Sequence, residues 1–86
     1  MATLSHKDAF DLGQHGLPNN ALYSSEMWFA HEAGRAARAH LGGVFTPLSV
    51  AMSRGYSVRV KLPRGGSYLF KFSGDPLVVS SIEAGA

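Results

Sequence analysis

The sequence predicts an α+β fold in which two or three N-terminal helices pack on a C-terminal three-stranded antiparallel β-meander. Two observations lead to this prediction. Residues 5–55 hold several pairs of helix start and stop signals, and from Tyr56 onward the apolar residues alternate with polar ones, as in half-buried strands. The length of 86 residues, of which 45% are hydrophobic, is typical of one compact domain spanning residues 1–86.

The first predicted helix covers about His6 to His15. Ser5 followed by Asp8 has the spacing of a capping box, in which each side chain binds the backbone N–H of the other residue. Gly16-Leu17-Pro18 ends the segment, whereas Gly13 lowers its helix propensity. The sequence therefore predicts a short helix here, with one interior glycine against it.

The second predicted helix is the best in the chain. Asn19 or Asn20 is a suitable cap, or the helix begins nearer Ser24 with Glu26 in its first turn. Gly42-Gly43 ends it. At 100° per residue, one broad arc of this helix is apolar: Phe29, Ala30, Ala33, Gly34, Ala36, Ala37 and Leu41.

This arc has two interpretations. We expect it to cover the sheet, because the aromatic strand residues need a second layer above them. The alternative is a homodimer through Ala30, Gly34 and Ala37, whose small side chains permit close backbone approach.

The segment between the long helix and Tyr56 is ambiguous. Thr46 as cap, Pro47 at the first helical position and Gly55 just past the end predict a short third helix. A strand over Val44 to Met52 is the alternative, since valine, threonine and alternation also occur there.

The C-terminal part predicts three strands. Val58, Val60 and Leu62 share a face with Tyr68, Phe70 and Phe72 when Pro63 lies opposite Ser67 and Arg64-Gly65-Gly66 forms the hairpin loop. This register places Arg59 opposite Lys71 and Lys61 opposite Leu69 on the solvent face. After the turn Gly74-Asp75-Pro76, Leu77 to Ile82 is the third strand.

Charge is distributed unevenly along the chain. The formal net charge is only +2, yet seven of the eight lysines and arginines lie between residues 33 and 74, where there is no aspartate or glutamate. Such segregation favours an anionic partner. The simpler alternative is that the seven cations are scattered over several faces.

The predicted geometry gathers four of these cations on the hairpin: Arg59, Lys61, Arg64 and Lys71. Like charges opposed across two strands contribute nothing to folding, so a basic sheet face is a candidate binding surface. The alternative is that these side chains keep an exposed face soluble and discourage edge pairing.

A second candidate surface is the polar arc of the long helix, which carries Trp28, His31, Glu32, Arg35 and Arg38. Trp28 with Arg35 and Arg38 is suited to dock a protein partner or to stack on a nucleobase. Burial of Trp28 under Phe10 and Leu12 is the alternative.

Several function classes are excluded or disfavoured. The absence of cysteine removes disulfides, thiolate zinc sites and cysteine nucleophiles. No apolar run approaches the roughly 20 residues of a membrane helix, and the first residues lack a secretory pattern, so we expect a cytoplasmic protein without a membrane partner.

Catalytic and metal chemistry find little support. His31 and His40 fall on opposite sides of the helix, and a site of Asp8, Asp11 and His15 depends on the short first helix alone. No Gly-x-Ser-x-Gly or phosphate-binding loop is present. We expect no enzyme activity, cofactor or metal.

The leading hypothesis is a small non-enzymatic binding protein, an inhibitor or regulator of the kind that phages and mobile elements encode. It would dock on an acidic protein surface or nucleoprotein complex, such as a host complex that handles nucleic acid, through Trp28, Arg35, Arg38 and the four hairpin cations. One alternative is direct DNA or RNA binding by the basic hairpin. Another is a structural subunit that self-associates through the small-residue helix face.

Overall fold

A computed structural model describes residues 5–17, 25–75 and 77–85 and shows an α+β fold. Two helices and a four-stranded antiparallel sheet make up these residues, so the predicted class is confirmed and the predicted strand number was one too low. No helix among the described residues is long and apolar enough to cross a membrane. The elements are α1 (His6–Gln14), α2 (Ser25–Leu41), β1 (Ser49–Ser53), β2 (Ser57–Lys61), β3 (Ser67–Ser73) and β4 (Val78–Gly85).

The positions of the first and second predicted helices are confirmed. The capping box of α1 is complete: the Ser5 hydroxyl accepts from the Asp8 N–H at 3.1 Å, and the Asp8 carboxylate accepts from the Ser5 N–H at 3.4 Å. Helix α2 ends at Leu41, and Gly42 follows with φ of +77°, a conformation that favours glycine. The proposed caps Asn19, Asn20 and Ser24 lie outside the described residues.

The predicted third helix is wrong. The alternative of a strand is correct in type, but strand β1 covers Ser49–Ser53 and not Val44 to Met52. Val50 pairs with Val60, and Met52 pairs with Val58, so β1 extends the apolar face of the hairpin. The local cap signals at Thr46 and Pro47 predicted a helix, but pairing with a neighbouring strand outweighs them. The sheet order is β1-β2-β3-β4.

The predicted hairpin register is also wrong. Arg59 pairs with Leu69, Lys61 pairs with Ser67, and Lys71 pairs with Ser57 rather than Arg59. The turn explains the difference, because the Gly65 N–H donates to the Leu62 carbonyl at 3.1 Å and places Pro63 at the second turn position, which its fixed φ favours.

The predicted and observed registers differ by two positions in the pairing, so both put the same side chains on the same face. Alternation alone could not choose between them. The connection is Pro63-Arg64-Gly65, with Gly65 at φ of +92°, and the final strand reaches Gly85, past the predicted Ile82.

The core lies between the helices and one face of the sheet. Phe10 of α1 makes edge contacts with Phe45 and Phe70 at ring-centroid distances of 5.7 and 6.1 Å. The buried apolar residues are Ala9, Phe10, Phe29, Ala30, Ala33, Ala37, Val50, Val58, Val60, Phe70 and Phe72. The opposite face of the sheet has no helix over it within the described part of the chain.

Candidate binding surface

The contact between α1 and α2 uses the small residues of both helices. Gly34 of α2 lies against the Phe10 backbone, and Gly13 of α1 lies against the His31 backbone, so that a Cβ at either glycine would overlap a carbonyl oxygen. Ala30 and Ala37 are completely buried. The predicted dimer face of Ala30, Gly34 and Ala37 is therefore occupied within the chain and is not open to a second copy.

His31 also belongs to this contact, contrary to its prediction as a residue of the solvated arc. Its side chain is completely buried where α1 covers α2. Burial lowers the pKa of His31 from the ordinary value of 6.5, because an imidazolium loses its hydration there, and the nearby Glu32 carboxylate opposes this effect. The second helix therefore has a wider buried arc than its apolar residues indicated.

Arg38 serves the fold in the same region. Its guanidinium donates to the Gln14 carbonyl at 2.8 Å and so satisfies a free carbonyl at the C-terminal end of α1. The Gln14 side chain is buried, and its amide donates to the Phe45 carbonyl at 2.8 Å and accepts from the Phe45 N–H at 3.0 Å. The role of Gln14 was not predicted, because nothing in the sequence distinguishes a buried glutamine of a short helix from an exposed one.

Trp28 and Arg35 also lie on α2, in the layer that the two helices form over the inner face of the sheet. Trp28 is half-buried and packs on Phe29 and Phe72 at centroid distances of 5.2 and 6.5 Å. Arg35 is exposed and pairs with Glu32 at 3.4 Å. The predicted cluster of Trp28, Arg35 and Arg38 therefore lies over the inner face of the sheet, apart from the hairpin cations.

The outer face of the sheet, which the helices leave open, carries the remaining predicted cations. Residues that alternate with the buried strand positions define it, and most of their side chains are small. The outer face includes Ser49, Ala51, Ser53, Ser57, Arg59, Lys61, Ser67, Leu69, Lys71, Ser73, Val78, Ser81 and Glu83.

Three cations lie on this outer face with one carboxylate. Lys71 pairs with Glu83 at 2.8 Å, and both side chains are about half exposed (49% and 53%). Arg59 and Lys61 are exposed, and no described carboxylate lies within 4.0 Å of either. The structure therefore brings Arg59, Lys61 and Lys71 together, as predicted, although in a different register.

A fourth cation adjoins this group. Arg54, in the turn between β1 and β2, lines an open depression of about 470 Å³ together with Tyr56, Arg59 and Lys71. Tyr56 is 62% exposed, and its ring stacks on Phe29 at 5.7 Å. Sequence reasoning counted Arg54 in the basic segment but did not assign it or Tyr56 to a site, because the turn was predicted as a helix end.

Arg64 is separated from the other cations. It lies in the turn between β2 and β3 and lines a groove with Leu41, Phe45 and Tyr68, on the helix side of the sheet. The predicted binding residues thus fall into three separate places. Arg59, Lys61 and Lys71 lie on the outer face, Trp28, Arg35 and Arg38 lie on α2, and Arg64 lies in the hairpin turn.

No group of three or more histidine, aspartate or glutamate side chains is placed to hold a metal ion in the described part of the chain. His15 contacts Asp11 at 3.5 Å, but Asp8 is used in the capping box.

Comparison with known proteins adds no further constraint, since no protein family, curated protein or solved structure matches this chain. The residues and their geometry are therefore the basis for a functional proposal.

Proposed function

We propose that this chain is a small non-enzymatic binding protein that docks on an acidic surface of a macromolecular partner in the cytoplasm, through the outer face of its sheet. Inhibition or regulation of a nucleic-acid-handling protein complex is the role we assign to it. The main supporting observation is that Arg59 and Lys61 are exposed on an uncovered face and have no carboxylate partner among the described residues.

The arrangement of this face supports a protein partner. Adjacent outward positions of one strand are about 7 Å apart, and so are diagonal neighbours on paired strands. Lys61 and Lys71 each stand in one of these relations to Arg59. Ala51 and Leu69 flank Arg59 on the neighbouring strands, and serines flank Lys61 and Lys71. The short serine and alanine side chains let another protein surface approach closely. Arg59 is the best candidate for a bidentate contact with a carboxylate.

Direct nucleic-acid binding is the second candidate, and one observation favours it. The exposed ring of Tyr56 lines the same depression as Arg54, Arg59 and Lys71, which places an aromatic surface beside three cations. Stacking on a base next to phosphate contacts is a common mode of single-strand binding. The outer face itself carries no aromatic residue, however, so stacking would involve Tyr56 alone.

Affinity capture from a cell lysate, with and without nuclease, separates these candidates. The wild-type chain is compared with the double variant Arg59→Glu, Lys61→Glu and with Lys7→Glu, a single charge reversal on the exposed side of α1. We expect the wild-type chain to capture a protein that stays bound after nuclease treatment and is released by high salt. Lys7→Glu should capture the same protein, and the double variant should not. Loss of all capture after nuclease, together with salt-sensitive binding of a bare oligonucleotide that Tyr56→Ala weakens, would favour the second candidate instead.

A further inference from the structure

A groove lies at the end of the molecule where α2 finishes and the β2–β3 hairpin turns. Its volume is about 380 Å³, within the range of about 300–1,000 Å³ that small-molecule sites occupy. The residues that form it come from three parts of the chain: Leu41, Phe45, Leu62, Pro63, Arg64 and Tyr68.

One wall of the groove is fixed by the buried Gln14. The Gln14 amide binds both backbone polar groups of Phe45, at 2.8 and 3.0 Å. The Phe45 ring is held between Phe10 and Tyr68 at centroid distances of 5.7 and 6.4 Å. Both backbone polar groups of this loop residue are therefore hydrogen-bonded, as they would be in a strand.

The opposite wall is fixed by the hairpin turn. The Leu62 N–H donates to the Gly66 carbonyl and the Gly65 N–H donates to the Leu62 carbonyl, both at 3.1 Å. Because both walls are ordered by bonds within the chain, a ligand does not have to order them on binding, which favours affinity.

The charge of the groove is simple. Arg64 is the one charged residue type among its lining side chains, and no carboxylate of the described residues lies within 4.0 Å of its guanidinium. The other walls are mainly aliphatic and aromatic. A ligand that fits has an apolar body and one negative group, whereas a polyphosphate would need several cations.

We propose that this groove binds a small molecule with an apolar body and a single carboxylate, its apolar part lying between Phe45 and Leu62 and its carboxylate accepting two hydrogen bonds from Arg64. A planar guanidinium suits a carboxylate in this way. This site is independent of the proposed partner surface, because Arg59 and Lys61 lie on the outer face and Tyr68 points to the inner side.

The test is a titration of the ¹⁵N-labelled chain with octanoate and with 1-octanol, followed by NMR. We expect octanoate to cause saturable shifts of the amides of Leu41, Phe45 and Leu62. Arg64→Gln should weaken octanoate binding about tenfold or more, because the charged hydrogen bonds to the carboxylate are lost, and leave the weaker octanol binding unchanged. Arg59→Gln is the matched control and should bind octanoate as the wild type does.

Two further variants make the result decisive. Arg64→Lys keeps the charge without the planar fork and should give an intermediate affinity. Thr46→Trp places a bulky ring at the exposed rim of the groove and should reduce binding of both probes. Octanoate shifts that do not saturate, that map to the outer face, or that are equal in wild type and Arg64→Gln would overturn the proposal.

Discussion

Two regions of the molecule, the contact between α1 and α2 and the outer face of the sheet, differ in whether their polar and charged groups are bonded within the fold. In the helix contact, Arg38 and Gln14 form hydrogen bonds at 2.8 to 3.0 Å with backbone groups, and two glycines bring the helix backbones together. On the outer face, Arg59 and Lys61 are exposed and have no described carboxylate nearby. The polar groups of the first region are therefore bonded within the fold, whereas two cations of the second have no ion-pair partner among the described residues.

The largest effect is expected in the helix contact, from Gly34→Ala. The added Cβ would overlap the Phe10 carbonyl oxygen and approach the Phe10 carbonyl carbon to 2.9 Å and the Gln14 nitrogen to 3.1 Å. Backbone atoms cannot move aside singly, so we expect a loss of about 3 kcal/mol or more in the free energy of unfolding, measured by urea denaturation. Gly43→Ala is the control, because its Cβ would meet nothing within 4 Å. Equal stability of the two variants would contradict this close contact.

The second effect concerns the buried amide. Gln14→Met keeps the side-chain size but removes both bonds to Phe45, leaving a backbone N–H and a carbonyl without their partner. We expect a loss of about 2–3 kcal/mol in unfolding free energy. Lys7→Met, on the exposed side of the same helix, should change it by less than about 0.5 kcal/mol. A Gln14→Met chain as stable as wild type would show that these two bonds contribute little.

The third effect is a pH dependence from the helix contact. Because burial lowers the pKa of His31 below its unfolded value of 6.5, the unfolded chain binds the proton more readily. The contribution of His31 to the free energy of unfolding should therefore be constant well above pH 6.5. It should fall as the pH drops through and below this value, by at most about 1.4 kcal/mol per pH unit.

Urea denaturation at several pH values between about 7.5 and 5.5 measures this slope. His31→Gln should remove most of the slope, whereas His40→Gln, at an exposed position, should keep it. A slope that persists in His31→Gln would assign the proton uptake to another group.

The smallest stability effect is expected on the outer face. The pair of Lys71 and Glu83 is about half exposed, so its coupling energy should be about 0.2–1 kcal/mol. A double-mutant cycle of Lys71→Gln and Glu83→Gln measures it, and high salt should reduce it. A coupling of several kcal/mol would mean that this face contributes to folding as the helix contact does.

The parts of the fold that local signals determine were predictable. Ser5 and Asp8 gave the first helix, and Gly42 gave the end of the second. Strand β1 was not predictable with certainty, because Thr46 and Pro47 form a plausible helix start and only pairing of Val50 with Val60 decides otherwise. The hairpin register depended on the turn chemistry of Pro63, since a shift of two positions leaves the inner face unchanged.

The candidate surface was predictable in part for a related reason. Alternation along β2 and β3 correctly put Arg59, Lys61 and Lys71 on one exposed face. The positions of His31 and Arg38 were not predictable, because a projection of α2 alone cannot show that α1 covers His31 and accepts a hydrogen bond from Arg38. The packing of α1 on α2 depends on contacts between residues far apart in the sequence, and the residue pattern of α2 alone does not predict it.

The most direct measurement of the central claim uses the double variant Arg59→Glu, Lys61→Glu, in which the melting temperature and the captured partner are determined on the same preparation. We expect a melting temperature within a few degrees of wild type, since exposed substitutions change stability by about 0.5 kcal/mol or less, together with loss of the nuclease-resistant partner. A variant that melts far below wild type, or one that retains the partner in full, would contradict the claim that these outer-face cations serve binding rather than folding.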